Sequence, residues 1–184
     1  SVRYKLKDAS VDDTDYKRIV EVFKKYNVRY FFYNGGNDSM DTCNKISKYM
    51  QKSGWDCNVI GVPKTIDNDV WGTDMTFGFH SSVEIATNVL DCIHTTATSH
   101  GRVFIVEVMG HKVGWLTLHA GIAGGADIVL LPEIPYDIQK VGKALDKRRR
   151  QGKTFSILAV AEGALSKEEA KLGKKALAAK RAAE

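Results

Sequence analysis

The sequence is short of cysteine and proline and has no long apolar run, and each shortage excludes a class of protein. Three prolines and sixteen glycines in 184 residues exclude collagen-like and proline-rich chains. No apolar run approaches the ~20 residues that a membrane-spanning helix needs, so we expect no membrane partner. The three cysteines have no C-x-x-C spacing, which favours reduced thiols in a cytosolic protein. The first ten residues carry no signal-peptide pattern, and we expect a cytoplasmic location.

The sequence also lacks an even distribution of charge, although its net charge is only +5. Residues 140–184 hold 13 of the 27 Lys and Arg but only 5 of the 22 Asp and Glu, which leaves 14 against 17 elsewhere. The basic positions are not interleaved with aromatic residues, and the run KRRR at 147–150 lies at a predicted helix end, where cations favour the helix dipole. We therefore expect no nucleic-acid partner.

Apolar runs alternate with helical segments in a pattern typical of an α/β protein. The predicted strands lie at residues 28–33, 57–62, 103–108, 128–131 and 154–161. The predicted helices lie at residues 13–26, 39–53 (with Ser39 as N-cap), 80–98, 111–123 and 136–151. Because the strand segments are almost continuously apolar, we expect a three-layer, mostly parallel sheet with helices on both faces. We expect one lobe over residues 1–165 and a basic, Ala/Lys-rich helical tail over residues 166–184.

The first candidate motif follows the first predicted strand and consists of Gly35, Gly36, Asn37, Asp38 and Ser39. A glycine pair lets anionic oxygens approach the backbone, and the helix beyond it offers unpaired N–H groups. This pattern is also that of a plain strand-to-helix turn. Since the Asp38 carboxylate repels anions, it indicates either a selectivity feature or a Mg²⁺ contact.

The second candidate motif, Pro-Lys-Thr-Ile-Asp-Asn-Asp at 63–69, directly follows the second predicted strand. Lys64, Thr65, Asp67 and Asp69 supply an ammonium group, a hydroxyl and two carboxylates. Phosphoryl transfer needs charge neutralisation, an orienting donor, a base and a metal carboxylate, and these residue types provide them. A polar loop without function is the alternative, and the density of functional groups favours a site.

Two further motifs follow later strands. Met109, Gly110 and His111 open the helical segment after residues 103–108, and Glu133 follows residues 128–131. Taken singly, each could be an ordinary turn or surface residue. Because the carboxyl ends of parallel strands meet at one edge of a sheet, where ligands bind, we expect all four motifs there.

In this order, the motifs resemble those of the phosphofructokinase family. GGNDS resembles the family's GGDGS phosphate loop, PKTIDND its PxTIDND catalytic loop, MGH its MGR sugar-binding turn, PEIP its PE segment and AVAEGA its late strand ending in EG. The resemblance extends from about residue 3 to residue 163. It implies an incomplete phosphofructokinase-like large lobe, Mg²⁺ as cofactor, fructose 6-phosphate as acceptor, and a homodimer or homotetramer at full length.

The resemblance also implies a role for each matching residue. Asp67 matches the proton acceptor for the 1-hydroxyl of fructose 6-phosphate, and Thr65 and Ile66 lie in the stretch that binds the sugar phosphate. Asn37 and Asp69 match positions associated with Mg²⁺. The sugar-binding positions are matched by Met109, Gly110, His111 and Glu133. The phosphate-binding positions are matched by Gly35, Gly36, Asn37, Ser39 and Lys64.

Two positions bear on the phosphoryl donor. ATP-using members of the family commonly carry Gly where this chain has Asp38 and Lys64, whereas pyrophosphate-using members resemble this chain at both. The Asp38 carboxylate would obstruct and repel a nucleotide α-phosphate, and the Lys64 ammonium supplies charge for a compact tetra-anion. We therefore expect pyrophosphate as donor, with Asp38 and Lys64 joining Asp67 as catalytic residues. ATP is the alternative, since some ATP-dependent relatives also carry PKTIDND.

The sequence departs from the family pattern at two positions. Asn37 replaces an aspartate, which predicts weaker metal affinity, and His111 replaces the arginine of MGR, which leaves open how the sugar phosphate is held. The family's first Gly-rich loop and its second lobe have no counterpart in the sequence. We therefore expect a central fragment with little or no turnover alone. An inactive phosphate-binding or regulatory module is the alternative from another functional class.

Overall fold

The computed structural model describes residues 4–173, 176, 177 and 179, in which helices and strands alternate. The helices are α1 (Thr14–Lys25), α2 (Asn37–Ser53), α3 (Phe79–His100), α4 (Trp115–Ala123) and α5 (Ile138–Arg150). The strands are β1 (Tyr30–Gly35), β2 (Asn58–Pro63), β3 (Val103–Val108), β4 (Ile128–Leu130) and β5 (Ser156–Ala161). Within this part of the chain, no helix combines the length and apolarity needed to cross a membrane.

The chain divides into two compact units. Unit 1 comprises the described residues of Ser1–Thr65 and Asp69–Phe77, and unit 2 those of Ile66–Asn68 and Gly78–Glu184. All strand pairs in both units are parallel, which confirms the expected α/β class. The boundary between a lobe and a tail at residue 165 stays a prediction. The tail begins with a 3₁₀ turn, Glu169–Lys171, and its residues 174, 175, 178 and 180–184 lie outside the described part.

Unit 1 is built on the parallel pair β1–β2, in which Tyr30 lies beside Asn58 and Gly35 beside Pro63. Helices α1 and α2 bury one stripe each against one face of this pair, forming a core around Val20, Phe23, Ile46 and Met50. Within unit 1, the other face is uncovered, and Tyr30 and Phe32 are 65% and 63% exposed there. Successive strand residues point to opposite faces of the sheet, and α1 and α2 both pack on the same face. Within unit 1, helices therefore cover one face of the β1–β2 pair, and not both faces as expected for a three-layer sheet.

Unit 2 contains a three-stranded parallel sheet in the order β3–β5–β4. The central strand β5 is buried along nearly its whole length, as its continuous apolar sequence predicts. Helices α3 and α4 pack against each other and against the sheet, around a core that includes Leu90, Ala120 and Ile157. This arrangement fixes the ends of β3, β4 and β5, where the later candidate motifs begin.

One ion pair joins the start of β4 to the end of α5 in unit 2. Arg148 Nη2 lies 2.7 Å from Asp127 Oδ1, and Arg148 Nε donates to Ser156 Oγ at 2.9 Å. Asp127 Oδ2 also accepts the backbone N–H of Ile157 at 2.9 Å. The first arginine of the basic run at 148–150 is therefore a structural residue, held at the amino ends of two strands.

Three predicted helix starts are wrong. Helix α5 begins at Ile138 rather than at residue 136, because Asp137 is its N-cap. Helix α2 begins at Asn37 rather than at Ser39, since Gly36 is its N-cap in an extended conformation and Met40 N bonds to Gly36 O. Helix α4 begins at Trp115 rather than at residue 111, because His111 has the left-handed φ of 53° and Gly114 is the N-cap. A left-handed residue cannot continue a right-handed helix, so the turn before α4 is longer than its sequence indicates.

Candidate active site

The glycine motif of unit 1 forms a tight turn between β1 and α2. A side chain at Gly35 would place its Cβ 2.1 Å from Ser39 Oγ, so the serine hydroxyl fills the space that the missing side chain leaves. Gly36, as N-cap, offers no side chain to the N–H groups of the first helical turn. An anion can approach those N–H groups, where the helix dipole favours negative charge.

Asp38 lies in the first turn of α2 and projects into solvent. Its side chain is 66% exposed, and its Oδ1 atom lies 2.9 Å from Nζ of Lys5. A carboxylate at this point of a helix is favoured by the dipole but competes with any anionic ligand for the same N–H groups. The structure thus places Asp38 at the opening of the glycine turn, and its role in selecting between ligands stays a prediction.

The Pro-Lys-Thr stretch at the end of β2 lies against the glycine turn. Lys64 N donates to Gly35 O at 2.9 Å, and a Cβ at Gly36 would lie 3.8 Å from both Lys64 O and Thr65 Cβ. Thr65 O in turn accepts the hydroxyl of Thr76 at 2.8 Å, which holds the returning loop of unit 1. The first and second candidate motifs therefore meet within unit 1, as predicted for neighbouring parallel strands.

Asn37 and Asp69 form the pair of residues that suits a metal ion. Asn37 Nδ2 donates to Asp69 Oδ2 at 2.8 Å. Asp69 Oδ1 is buried, and no hydrogen-bond donor among the described residues reaches it. A buried carboxylate oxygen without a donor is costly unless a cation binds it. Mg²⁺ commonly uses one or two carboxylates together with water and substrate phosphates, so these residues fit that ion.

The second candidate motif is divided between the units. Lys64, Thr65 and Asp69 belong to unit 1, whereas Ile66–Asn68 belong to unit 2. The Ile66 side chain packs against the core cluster of Phe79 and Leu116, so it fixes the half-buried Asp67 next to it in the sequence. The predicted substrate contact of Ile66 would therefore be made by its backbone.

The MGH turn of unit 2 is held by a residue to which sequence reasoning gave no role. Glu162, directly after β5, accepts the N–H of Gly110 at 3.1 Å and the N–H of His111 through the same oxygen, Oε1. Gly163 also lies close to this turn, since a Cβ there would be 2.3 Å from His111 O. The Glu-Gly pair within AVAEGA is the signal in the sequence. The contacts of Glu162, however, are to Gly110 and His111, which lie 52 and 51 positions earlier in the chain.

Glu133 also binds a backbone N–H group in unit 2. Its Oε1 atom accepts from Gly114 N at 2.8 Å, at the start of α4. A carboxylate at a helix N-terminus stabilises the helix through its dipole. Met109, at the opening of the same turn, is 62% exposed. Met109, Gly110 and His111 thus lie on one turn of unit 2, Glu133 binds the start of the helix that follows it, and their role in binding a sugar stays a prediction.

The structure therefore groups the predicted residues in two sets. The unit 1 set suits phosphate and metal, and it comprises Gly35, Gly36, Asn37, Asp38, Ser39, Lys64, Thr65 and Asp69. The unit 2 set supplies the Asp67 carboxylate and one glycine turn, and it comprises Ile66, Asp67, Met109, Gly110, His111 and Glu133. Within the described ranges, no three His, Cys, Asp or Glu side chains cluster as a complete metal site.

Comparisons with known proteins converge on one family. The family model described as "Phosphofructokinase" matches residues 2–184. An "ATP-dependent 6-phosphofructokinase" of Spirochaeta thermophila is 51% identical over 168 residues, which are 91% of this chain and 44% of that protein. A solved pyrophosphate-dependent phosphofructokinase from Nitrosospira multiformis is similar at TM-score 0.79 and 33% identity, over 90% of this chain and 42% of the other.

A second solved structure, a pyrophosphate-dependent phosphofructokinase from Marinobacter aquaeolei, is similar at TM-score 0.76 and 36% identity, again over 90% of this chain and 42% of that one. The chain thus spans less than half the length of these relatives. The likeness to the solved structures supports the α/β class, since it extends over nine-tenths of the sequence.

Proposed function

The chain belongs to the phosphofructokinase family, and we propose that it carries the phosphate-binding and proton-accepting parts of an enzyme that transfers a phosphoryl group from pyrophosphate to fructose 6-phosphate. The product is fructose 1,6-bisphosphate, as in glycolysis. The observation that carries this proposal is the contact between the glycine turn at Gly35–Gly36 and the end of β2 at Lys64–Thr65. We propose that the full-length protein is a cytoplasmic homodimer or homotetramer.

In the proposed reaction, the donor lies on the open N–H groups at the start of α2, with its charge offset by the Lys64 ammonium group. The 1-hydroxyl oxygen of the sugar phosphate attacks the terminal phosphorus, the bridging P–O bond breaks, and inorganic phosphate leaves. Asp67 accepts the hydroxyl proton as the loose transition state forms. When bound, Mg²⁺ would neutralise phosphate charge, and Asp69 Oδ1 would hold it with help from Asn37.

Pyrophosphate is the donor that Asp38 favours. The carboxylate is exposed in the first turn of α2, where the α-phosphate of a nucleotide would meet both its bulk and its charge. A pyrophosphate ion is compact enough to use the N–H groups and Lys64 without extending past Asp38. Two solved relatives described as pyrophosphate-dependent have 33% and 36% identity to this chain.

ATP is the second candidate donor, and one observation favours it. The curated relatives with 48–59% identity are named ATP-dependent 6-phosphofructokinases. Sequence identity over the whole matched length thus supports ATP as the donor, whereas Asp38 supports pyrophosphate. The two candidates differ only in what occupies the space beyond the first turn of α2.

Binding measurements on the chain itself can separate the candidates. We expect calorimetric titration to show binding of Mg²⁺–pyrophosphate and no binding of a non-hydrolysable ATP analogue. Asp38→Gly removes both bulk and charge and should admit the analogue, whereas Asp38→Asn removes only charge. Asp41→Asn, one turn further along α2, is the matched control.

An unchanged preference for pyrophosphate over the ATP analogue in Asp38→Gly would contradict the role of Asp38. Tighter binding of the ATP analogue than of pyrophosphate to the unaltered chain would establish ATP as the donor. If the full-length protein binds pyrophosphate and fructose 6-phosphate but shows no turnover, the inactive phosphate-binding or regulatory module is favoured.

A further inference from the structure

The short segment that precedes α1 in unit 1 is fixed on both helices of that unit. The Tyr4 hydroxyl donates to Asp15 on α1, and Lys45 Nζ on α2 donates to Leu6 O at 3.2 Å. The Leu6 side chain packs against the apolar core, and Lys7 O accepts the hydroxyl of the buried Tyr16 at 2.6 Å. Contacts therefore hold the residues on both sides of Lys5, and they position its backbone beside α2.

This positioning brings the Lys5 ammonium group to the opening of the glycine turn. Lys5 Nζ lies 2.9 Å from Asp38 Oδ1, and the two side chains are 69% and 66% exposed. An ion pair as exposed as this contributes little to stability, because water and salt screen both charges. The pair is therefore not needed for folding, and it can break at low cost when a stronger anion arrives.

We propose that Lys5 is a specificity-determining residue of the phosphoryl-donor site, which releases Asp38 and binds a phosphate oxygen of pyrophosphate. This inference rests on the proposed function. Asp38 alone would repel every polyanion that approaches the start of α2, including pyrophosphate, and the nearby Lys5 ammonium group offsets that repulsion for a ligand short enough not to extend past Asp38. A lysine suits this exchange, since its point charge on a flexible four-carbon stem can swing between two acceptors.

The neighbouring Lys7 is the natural comparison, because it lies on the same segment but already has its own carboxylate. Lys7 Nζ donates to Asp12 Oδ2 at 3.0 Å. The hydrogen bonds from Lys7 and Thr14 lower the pKa of the Asp12 carboxyl to about 2. Lys7 thus binds a carboxylate at the start of α1, away from the glycine turn, and serves as a control of equal charge.

The test is a calorimetric titration of Mg²⁺–pyrophosphate into the unaltered chain and into Lys5→Gln, Lys5→Arg and Lys7→Gln. We expect Lys5→Gln to weaken binding about five- to tenfold, and Lys5→Arg and Lys7→Gln to stay within about twofold. The loss in Lys5→Gln should shrink as the salt concentration rises. Equal pyrophosphate affinities for Lys5→Gln and Lys7→Gln would overturn the role of Lys5 but leave the proposed function standing. If the unaltered chain does not bind pyrophosphate, the proposed function fails and this inference fails with it.

A double variant separates direct contact from simple neutralisation of Asp38. If Lys5 binds the phosphate, Lys5→Gln should still weaken pyrophosphate binding about fivefold in an Asp38→Asn background. If Lys5 only neutralises Asp38, that loss disappears once the carboxylate is gone, and the proposal is wrong. Thermal unfolding of each variant should be unchanged, since the ion pair is exposed.

Discussion

The two units use the carboxylates next to their strands in opposite ways. In unit 2, Asp127, Glu133 and Glu162 each accept hydrogen bonds from backbone N–H groups. In unit 1, Asp38 faces solvent with a lysine as its ion-pair partner, and no described donor reaches the buried Oδ1 atom of Asp69. These three carboxylates of unit 2 therefore serve the fold, whereas Asp38 and Asp69 of unit 1 are available to cations and ligands. Substitutions should separate these two uses.

The largest effect is expected at Asp127, because one of its two partners is the charged side chain of Arg148. Asp127→Ala should lower the free energy of unfolding by about 2–3 kcal/mol, because it leaves Arg148 without its carboxylate and the Ile157 N–H without an acceptor. Asp146→Ala is the control, since its partner Arg149 lies 3.7 Å away and is 83% exposed. Urea denaturation followed by circular dichroism measures both. Equal losses in the two variants would show that Asp127 does not serve the fold.

The second effect is expected at the turn before α4. Glu162→Ala removes the acceptor of the Gly110 and His111 N–H groups and should cost about 1–2 kcal/mol. Glu162→Gln keeps an acceptor oxygen and should recover about half of that loss. Hydrogen exchange at the Gly110 and His111 amides is the direct measurement. Unchanged exchange in Glu162→Ala would contradict the structural role of this carboxylate.

The third effect is expected at Glu133 and is smaller, since one hydrogen bond at a helix start is lost. Glu133→Ala should cost about 0.5–1 kcal/mol through Gly114 N and the α4 dipole. Glu133→Gln should lose the dipole interaction but keep the hydrogen bond. The measurement is again urea denaturation. A loss as large as that of Asp127→Ala would mean that Glu133 makes contacts beyond Gly114.

Much of this comparison could be predicted from sequence, and part of it could not. The apolar runs place each strand within two residues of its observed start, because continuous apolarity is a local signal. The start of α4 could not be located, since the left-handed conformation of His111 depends on Glu162 and Gly163, about fifty residues away. The contact between Lys5 and Asp38 is equally long-range. Local patterns thus give the elements and the candidate motifs, whereas the partners of each charged group come only from the fold.

The smallest effect on stability, and the sharpest test of the comparison, is expected at Asp69. Asp69→Asn keeps an oxygen for the Asn37 Nδ2 hydrogen bond and removes the negative charge of a carboxylate whose Oδ1 atom no described donor reaches. The free energy of unfolding should change by less than about 0.5 kcal/mol or rise slightly, since a buried carboxylate oxygen without a donor is itself costly. The gain in pyrophosphate affinity that Mg²⁺ produces should nevertheless fall about tenfold, because Mg²⁺ would lose the carboxylate that we propose holds it. Asp56→Asn, whose side chain is 92% exposed, is the control in the same unit. If Asp69→Asn destabilises the chain by as much as Glu162→Ala and leaves the Mg²⁺ dependence intact, Asp69 serves the fold as the unit 2 carboxylates do, and the distinction between the two units fails.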